Sequence, residues 1–163
     1  MKYALLLPAI TLALLCSCQP TAESTTVDAA TEKAAILQVL NQETVAAFSR
    51  DYEGWQDKWV HAPYVAKTYM NFADSSLTEA LGWEEVNQFV VDYFAEHPAP
   101  DPLPAPLTDI AVRLYGDGAW VSYEQDNPAG GRKRETRLME RSGGAWKIAG
   151  MQTVIYGEGN AMR

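Results

Sequence analysis

Apolar residues recur at helical spacing through the first part of the chain and at strand spacing through its last third. Ile36, Leu37, Leu40, Thr44, Ala47 and Phe48 fall on one broad face, with Glu32, Lys33, Gln42 and Glu43 largely elsewhere. That pattern predicts a long amphipathic helix with Asp28 or Thr31 as its N-cap. Ser49-Arg50-Asp51 interrupts it. Tyr52, Trp55 and Trp59 then resume at i, i+3 and i+7, so a short second helix begins near Asp51 and stops before Pro63, which disfavours helical geometry in the residue preceding it. Tyr64 to Met70 reads as a short strand. A third helical pattern starts at Gly82, with Val86, Phe89, Val90, Tyr93 and Phe94 at core spacing, and is stopped by Pro98.

Residues 98–106, PAPDPLPAP, contain five prolines and exclude both a helix and a central strand. Beyond this stiff connector the period changes to two. Four strands are predicted at Thr108 to Tyr115, Ala119 to Gln125, Arg132 to Arg141 and Ala145 to Tyr156. The stretches between them, Gly116-Asp117-Gly118, Asn127-Pro128-Ala129-Gly130-Gly131 and Ser142-Gly143-Gly144, are rich in hairpin-turn residues. Helices first and an antiparallel meander afterwards indicate an α+β domain, with helices on one face of a curved sheet and a conical space between the two layers.

The first seventeen residues change the picture of where this domain works. Lys2 is followed by an apolar run from Tyr3 to Leu15, too short to span a bilayer, which is the organisation of a signal peptide. Leu15-Cys16-Ser17-Cys18 resembles a bacterial lipobox. The resemblance implies cleavage after residue 17 and a lipid-modified Cys18 at the mature N-terminus. Gln19 stands where aspartate would signal inner-membrane retention, which points to outer-membrane sorting. The expected organisation is therefore a lipoprotein signal peptide over residues 1–17 and a lipidated cysteine with a flexible tether over 18–29. One domain over 30–156 and a flexible tail over 157–163 complete it.

Only Cys18 survives such processing, so neither a disulfide nor a thiolate metal site is expected. The net charge of −8, one unit more negative without Lys2, disfavours nucleic acid and anionic lipid headgroups as partners. The membrane connection is then the lipid anchor alone, in the bacterial cell envelope. His61 and His97 lie far apart in sequence, no histidine-rich metal site is implied, and no cofactor is expected.

Three stretches resemble the nuclear transport factor 2-like superfamily in its SnoaL-like branch: the helix end FSRDYEGWQDKWVHAPY, the strand GDGAWVSYEQD and the hairpin RETRLMERSGGAWKIAGMQTVIY. The resemblance covers roughly residues 30 to 156. It implies a cone of N-terminal helices packed on a curved antiparallel sheet of about four to six strands, homodimers packed through that sheet, and a pocket between the first helices and the inner sheet face. The superfamily also includes ketosteroid isomerases, scytalone dehydratases, limonene epoxide hydrolases, polyketide cyclases and plain binding modules, so fold alone leaves function open.

Trp55 and Trp59 share one helix face and offer a flat apolar surface, either as core or as the wall of a ligand pocket. Tyr64, Tyr123 and Gln152 are assigned to the same pocket, Gln152 because it shares strand parity with Trp146 and Ile148. His61 is the candidate general acid/base, since imidazole exchanges protons near neutral pH. On the charged strand, Thr136 and Leu138 suit the core side, while Glu135 and Arg137 form either a solvated charge ladder or part of a pocket or interface. The expected function is binding of a small, mainly apolar molecule. The alternatives are a dehydratase, isomerase or cyclase acting through His61, and a dimeric interaction module whose cone is only core.

Overall fold

The computed structural model describes residues 28–127 and 131–156; the segments expected to be a signal peptide, a lipidated Cys18 and a C-terminal tail lie outside the described residues. Helix α1 spans Ala29–Ser49. Asp28 caps it, accepting from the Ala30 N–H at 3.1 Å and the Thr31 hydroxyl at 2.8 Å, which satisfies donors that the first helical turn leaves free. At the other end Arg50 takes a left-handed conformation (φ 63°), closing α1 with bonds back to the Ala46 and Ala47 carbonyls. The Arg50 guanidinium donates to the Ala47 and His97 carbonyls and to Asp101, and lies over Tyr93 and Phe94. One side chain thus ties the end of α1 to the end of the third helix and to the proline-rich connector.

Helix α2, Tyr52–Gln56, follows at once with Asp51 as its cap. The chain then forms a short parallel bridge in which Val60 N–H donates to Ile148 and Ile148 N–H to Lys58, which fixes Trp59 against the sheet. Strands β1 (Ala66–Asn71) and β2 (Ser76–Leu81) make a hairpin, and α3 (Trp83–Glu96) crosses back over the sheet. In the irregular connector after it, the Asn41 side-chain amide both donates to and accepts from the backbone of Leu107. The chain ends in β3 (Ala111–Tyr115), β4 (Gly118–Asn127), β5 (Gly131–Ser142) and β6 (Ala145–Ile155).

These form one six-stranded sheet in the order β2-β1-β6-β5-β4-β3. Every neighbouring pair is antiparallel except β1 with β6, which is parallel because the α3 crossover and the meander bring the last strand back beside the first. Strand β2 has no counterpart in the expected elements. It is an edge strand whose leucines, Leu77 and Leu81, are exposed and in which only Ala80 is buried, so apolar spacing does not mark its inner face.

The core lies between the helices and the inner face of the sheet. Ile36, Leu40, Trp55, Trp59, Val86, Val121, Met139 and Ile148 are among its fully or almost fully enclosed apolar members. The buried face of α1 differs from the expected one. It includes Glu32 and Glu43, which accept hydrogen bonds from the indole N–H groups of Trp146, and of Trp55 and Trp59, respectively. A buried indole N–H needs an acceptor, and these two carboxylates supply it.

Candidate functional site

The registers of β1, β6, β5 and β4 assemble two rows of side chains on the inner sheet face. Lys67, Met151, Arg137 and Val121 lie in one row; Tyr69, Thr153, Glu135 and Tyr123 lie in the next. Among these, Lys67, Glu135, Arg137 and Thr153 are buried polar residues, and Glu43 of α1 faces them across the core. The charged alternation on β5 therefore points opposite to the core assignment of Thr136 and Leu138: Glu135, Arg137 and Met139 are enclosed while Thr136 and Leu138 are only half-buried. Size and charge alone favour Leu138 inside, but here buried counter-charges replace solvent for the ionic pair.

Glu135 is the hub of this cluster. Its Oε2 accepts from Tyr123 OH at 2.8 Å and from Arg137 Nε and Nη2 at 2.9 and 2.5 Å, and its other oxygen pairs with Lys133. Burial works against its charge, but Arg137 and Lys133 outweigh that and hold the carboxyl at about 2. Glu43 Oε2 lies 3.7 Å from Arg137 Nη2, within ion-pair range but beyond a hydrogen bond. Among the described residues, two buried side-chain polar atoms remain sealed from water without a partner: Arg137 Nη1 and Thr153 Oγ1. A native interior seldom leaves such groups unsatisfied.

Lys67 stands beside them. Its Nζ lies 5.2 to 5.7 Å from the ring centroids of Trp55, Trp59, Tyr69 and Phe89, an aromatic cage around an ammonium. Only 6 % of the residue is exposed. Burial, opposed by Glu43 and reinforced by Arg137, pulls its amine down to about 8. Trp55 and Trp59 are completely enclosed, whereas Tyr69 and Phe89 are half-buried, so the cage meets solvent on the Tyr69–Phe89 side.

The profile of the SnoaL-like domain family matches residues 36–153. The chain belongs to that family. A nuclear transport factor 2-like protein from Pseudomonas putida KT2440 superposes with a TM-score of 0.59 at 16 % identity, over 77 % of this chain and 87 % of that one. A cystatin-like fold protein from Burkholderia xenovorans LB400 gives 0.55 at 21 % identity, over 75 % and 89 %. A further nuclear transport factor 2-like protein, from Silicibacter pomeroyi DSS-3, gives 0.56 at 18 %, over 77 % and 97 %. At such identities the likeness shows the fold alone. No curated protein matches the chain.

Within the SnoaL-like domain, Trp55, Trp59 and Tyr123 join the buried cluster, and the other assigned pocket residues do not. His61 is exposed, stacks on Trp83 at 3.9 Å and donates from Nε2 to the Gln56 carbonyl at 3.0 Å. Trp83 in turn stacks on Trp55 at 5.7 Å, so the Trp83 indole stands between the imidazole and the Trp55 wall of the Lys67 cage. Tyr64 is exposed and donates to Glu140, a hydrogen bond that raises its phenol. Gln152 faces solvent because a bulge lies between Ile148 and Gly150: Ala149 is inserted opposite the Leu138–Met139 step and reverses the parity of β6, turning Met151 and Thr153 inward. Lys67 escapes a reading by composition, since a lone lysine in a short strand looks like a solvated one. The nearest sequence signal is the strict alternation Lys67-Thr68-Tyr69, which puts the lysine on the same face as the tyrosine.

Two hollows bounded by described residues border α1. One, of about 600 Å³, is lined by Gln38, Gln42, Val45, Ser49, Gly54 and Lys58 among others, and the second, of about 360 Å³, lies beside Trp146 and Arg141. Neither is lined by Lys67, Glu135 or Arg137.

Proposed function

We propose that this SnoaL-like domain binds a small molecule with an apolar, ring-sized body and one hydrogen-bond-accepting head, a carboxylate or a carbonyl, at the inner sheet wall. The observation that carries the reading is the pair of sealed, partnerless polar atoms, Arg137 Nη1 and Thr153 Oγ1. Leaving such a group unpaired costs about 1–3 kcal/mol. An acceptor oxygen placed against both atoms recovers that cost, which makes the wall selective for ligands that carry one. The half-buried rings of Tyr69 and Phe89 supply the surface for the apolar body, backed by the enclosed Trp55 and Trp59. The refinement over a mainly apolar ligand is the polar head, which a wall lined only by rings would not require.

The same proposal places the domain in the bacterial envelope, held to the membrane through acylated Cys18, with the binding wall on the tethered domain. A thermal-shift panel tests the binding reading: one-ring carboxylates and ketones beside the hydrocarbons of the same shape. At least one acceptor-bearing compound is expected to raise the melting temperature by several degrees while its hydrocarbon partner does not. Equal stabilisation by hydrocarbons, or none by any compound, removes the reading.

A further inference from the structure

We propose that Lys67 is a reactive amine that condenses reversibly with the carbonyl group of a ligand bound at the inner wall, forming an imine. The inference rests on the binding reading above and adds a covalent step to it.

Three features of the geometry carry it. Lys67 Nζ faces four rings, and the two indole N–H groups among them are both donated to Glu43 Oε1, so these rings leave the amine's lone pair free once it is neutral. Two cations stand in the same cluster: Arg137 in the neighbouring position two strands away, and Lys133, which shares Glu135 with Arg137. A lysine that is both desolvated and set beside other cations is activated as a nucleophile. Third, the groups that the condensation needs surround it. Arg137 Nη1 is an uncommitted donor for a carbonyl oxygen, and Glu43 Oε2 lies 3.7 Å from Arg137 Nη2, beyond a hydrogen bond, while Oε1 holds both indoles. Consistent with this, Glu43 is the strongest counter-charge to Lys67, and the amine's depressed basicity leaves a substantial neutral fraction near pH 8.

The chemistry balances without any further reactant. The Lys67 ammonium gives a proton to Glu43, and the neutral amine attacks the carbonyl carbon. A C–N bond forms as the carbonyl π pair moves to oxygen, which takes up, beside Arg137, a proton released by the newly bonded nitrogen. The resulting carbinolamine loses its hydroxyl with the proton held by Glu43 as water, and the C=N bond forms. One amine and one carbonyl give one imine and one water, and hydrolysis reverses the step. Protonated, the product is an iminium cation, which the four rings around Nζ hold as they hold the ammonium. The half-buried Tyr69 and Phe89 mark the side from which the aldehyde or ketone enters.

Reductive trapping tests this. The full chain is incubated at pH 8 with limiting benzaldehyde or cinnamaldehyde and cyanoborohydride, which reduces the C=N bond to a stable secondary amine, and the adduct is mapped by peptide mass spectrometry. Lys33, Lys58 and Lys147 serve as internal controls, being more exposed than Lys67. The expected result is a single adduct concentrated on Lys67, at least about fivefold over any other lysine, and its loss in Lys67→Arg with the surface pattern unchanged. Labelling of the other lysines with Lys67 unmodified in the folded protein overturns the proposal. Non-carbonyl carboxylates separate the two readings. If they stabilise the protein while Lys67 stays unlabelled, the amine chemistry falls and ligand binding stands; if nothing stabilises it, the binding reading falls first.

Discussion

Replacing Lys67 by methionine keeps the length and apolar stem of the side chain and deletes its charge. The remaining members of the cluster, Glu43, Glu135, Arg137 and Lys133, then balance two against two. In the wild type the amine falls from 10.5 to about 8 on folding, which corresponds to roughly 3 kcal/mol of penalty for keeping it charged below pH 8. The cation–π contacts to four rings offset part of this, at about 0.5–2 kcal/mol in total. Lys67→Met should therefore be more stable than wild type at pH 7, by about 1–3 kcal/mol. The sign of the pH dependence follows from proton counts. Between pH 8 and 10.5 the unfolded chain binds the Lys67 proton and the folded one does not, so wild-type stability gains from this residue as pH rises, and the advantage of the variant shrinks. Urea unfolding of both proteins at pH 6, 7, 8, 9 and 10 measures it. A variant less stable than wild type at pH 7, or a difference that stays constant from pH 7 to 10, would refute the reasoning.

Arg50→Ala removes two bonds to carbonyls and the Asp101 pair, and should cost about 1.5–3 kcal/mol in urea unfolding, with Arg50→Lys recovering only part. Glu135, held at about 2, contributes stability above pH 4.5 that is lost as pH falls from about 4.5 through 2; a Glu135→Gln acid titration should lack that limb. Metabolic labelling with a fatty-acid probe should mark the wild type and not Cys18→Ser; equal labelling sinks the anchor proposal. The soluble domain should scatter light as a dimer at high micromolar concentration, through the sheet face that exposes Trp120, and a monomer mass counts against that proposal.

The helices and the last four strands were legible because caps and glycine turns punctuate them: Asp28, Asp51 and Gly143-Gly144 stand where those elements begin or end, whereas α2 stops at Gln56, well before Pro63, and Trp59 lies beyond it in the bridge to Ile148 rather than on its face. The polar interior was not. Glu32 and Glu43 look like the solvated side of an amphipathic helix, and only the later need of three indoles for acceptors turns them inward. On β5 the alternation was readable but its sense was not, because a paired glutamate and arginine can occupy a core face when each satisfies the other. Gln152 shows a different limit: one inserted residue at Ala149 exchanges the two faces of β6, and nothing in the apolar pattern up to Ile148 announces it.

The account rests on the inner wall being held for a ligand at some expense of stability, and Thr153→Val tests that most directly. Valine has nearly the shape of threonine without the hydroxyl, so it removes a sealed oxygen that has no partner. Calorimetric titration of the best-stabilising carboxylate or ketone into both proteins, with urea unfolding alongside, gives the two numbers needed. The account predicts that Thr153→Val is as stable as wild type or more stable by about 1 kcal/mol, and binds the ligand about three- to tenfold more weakly. Unchanged affinity, or a variant that loses stability while binding is retained, would contradict it.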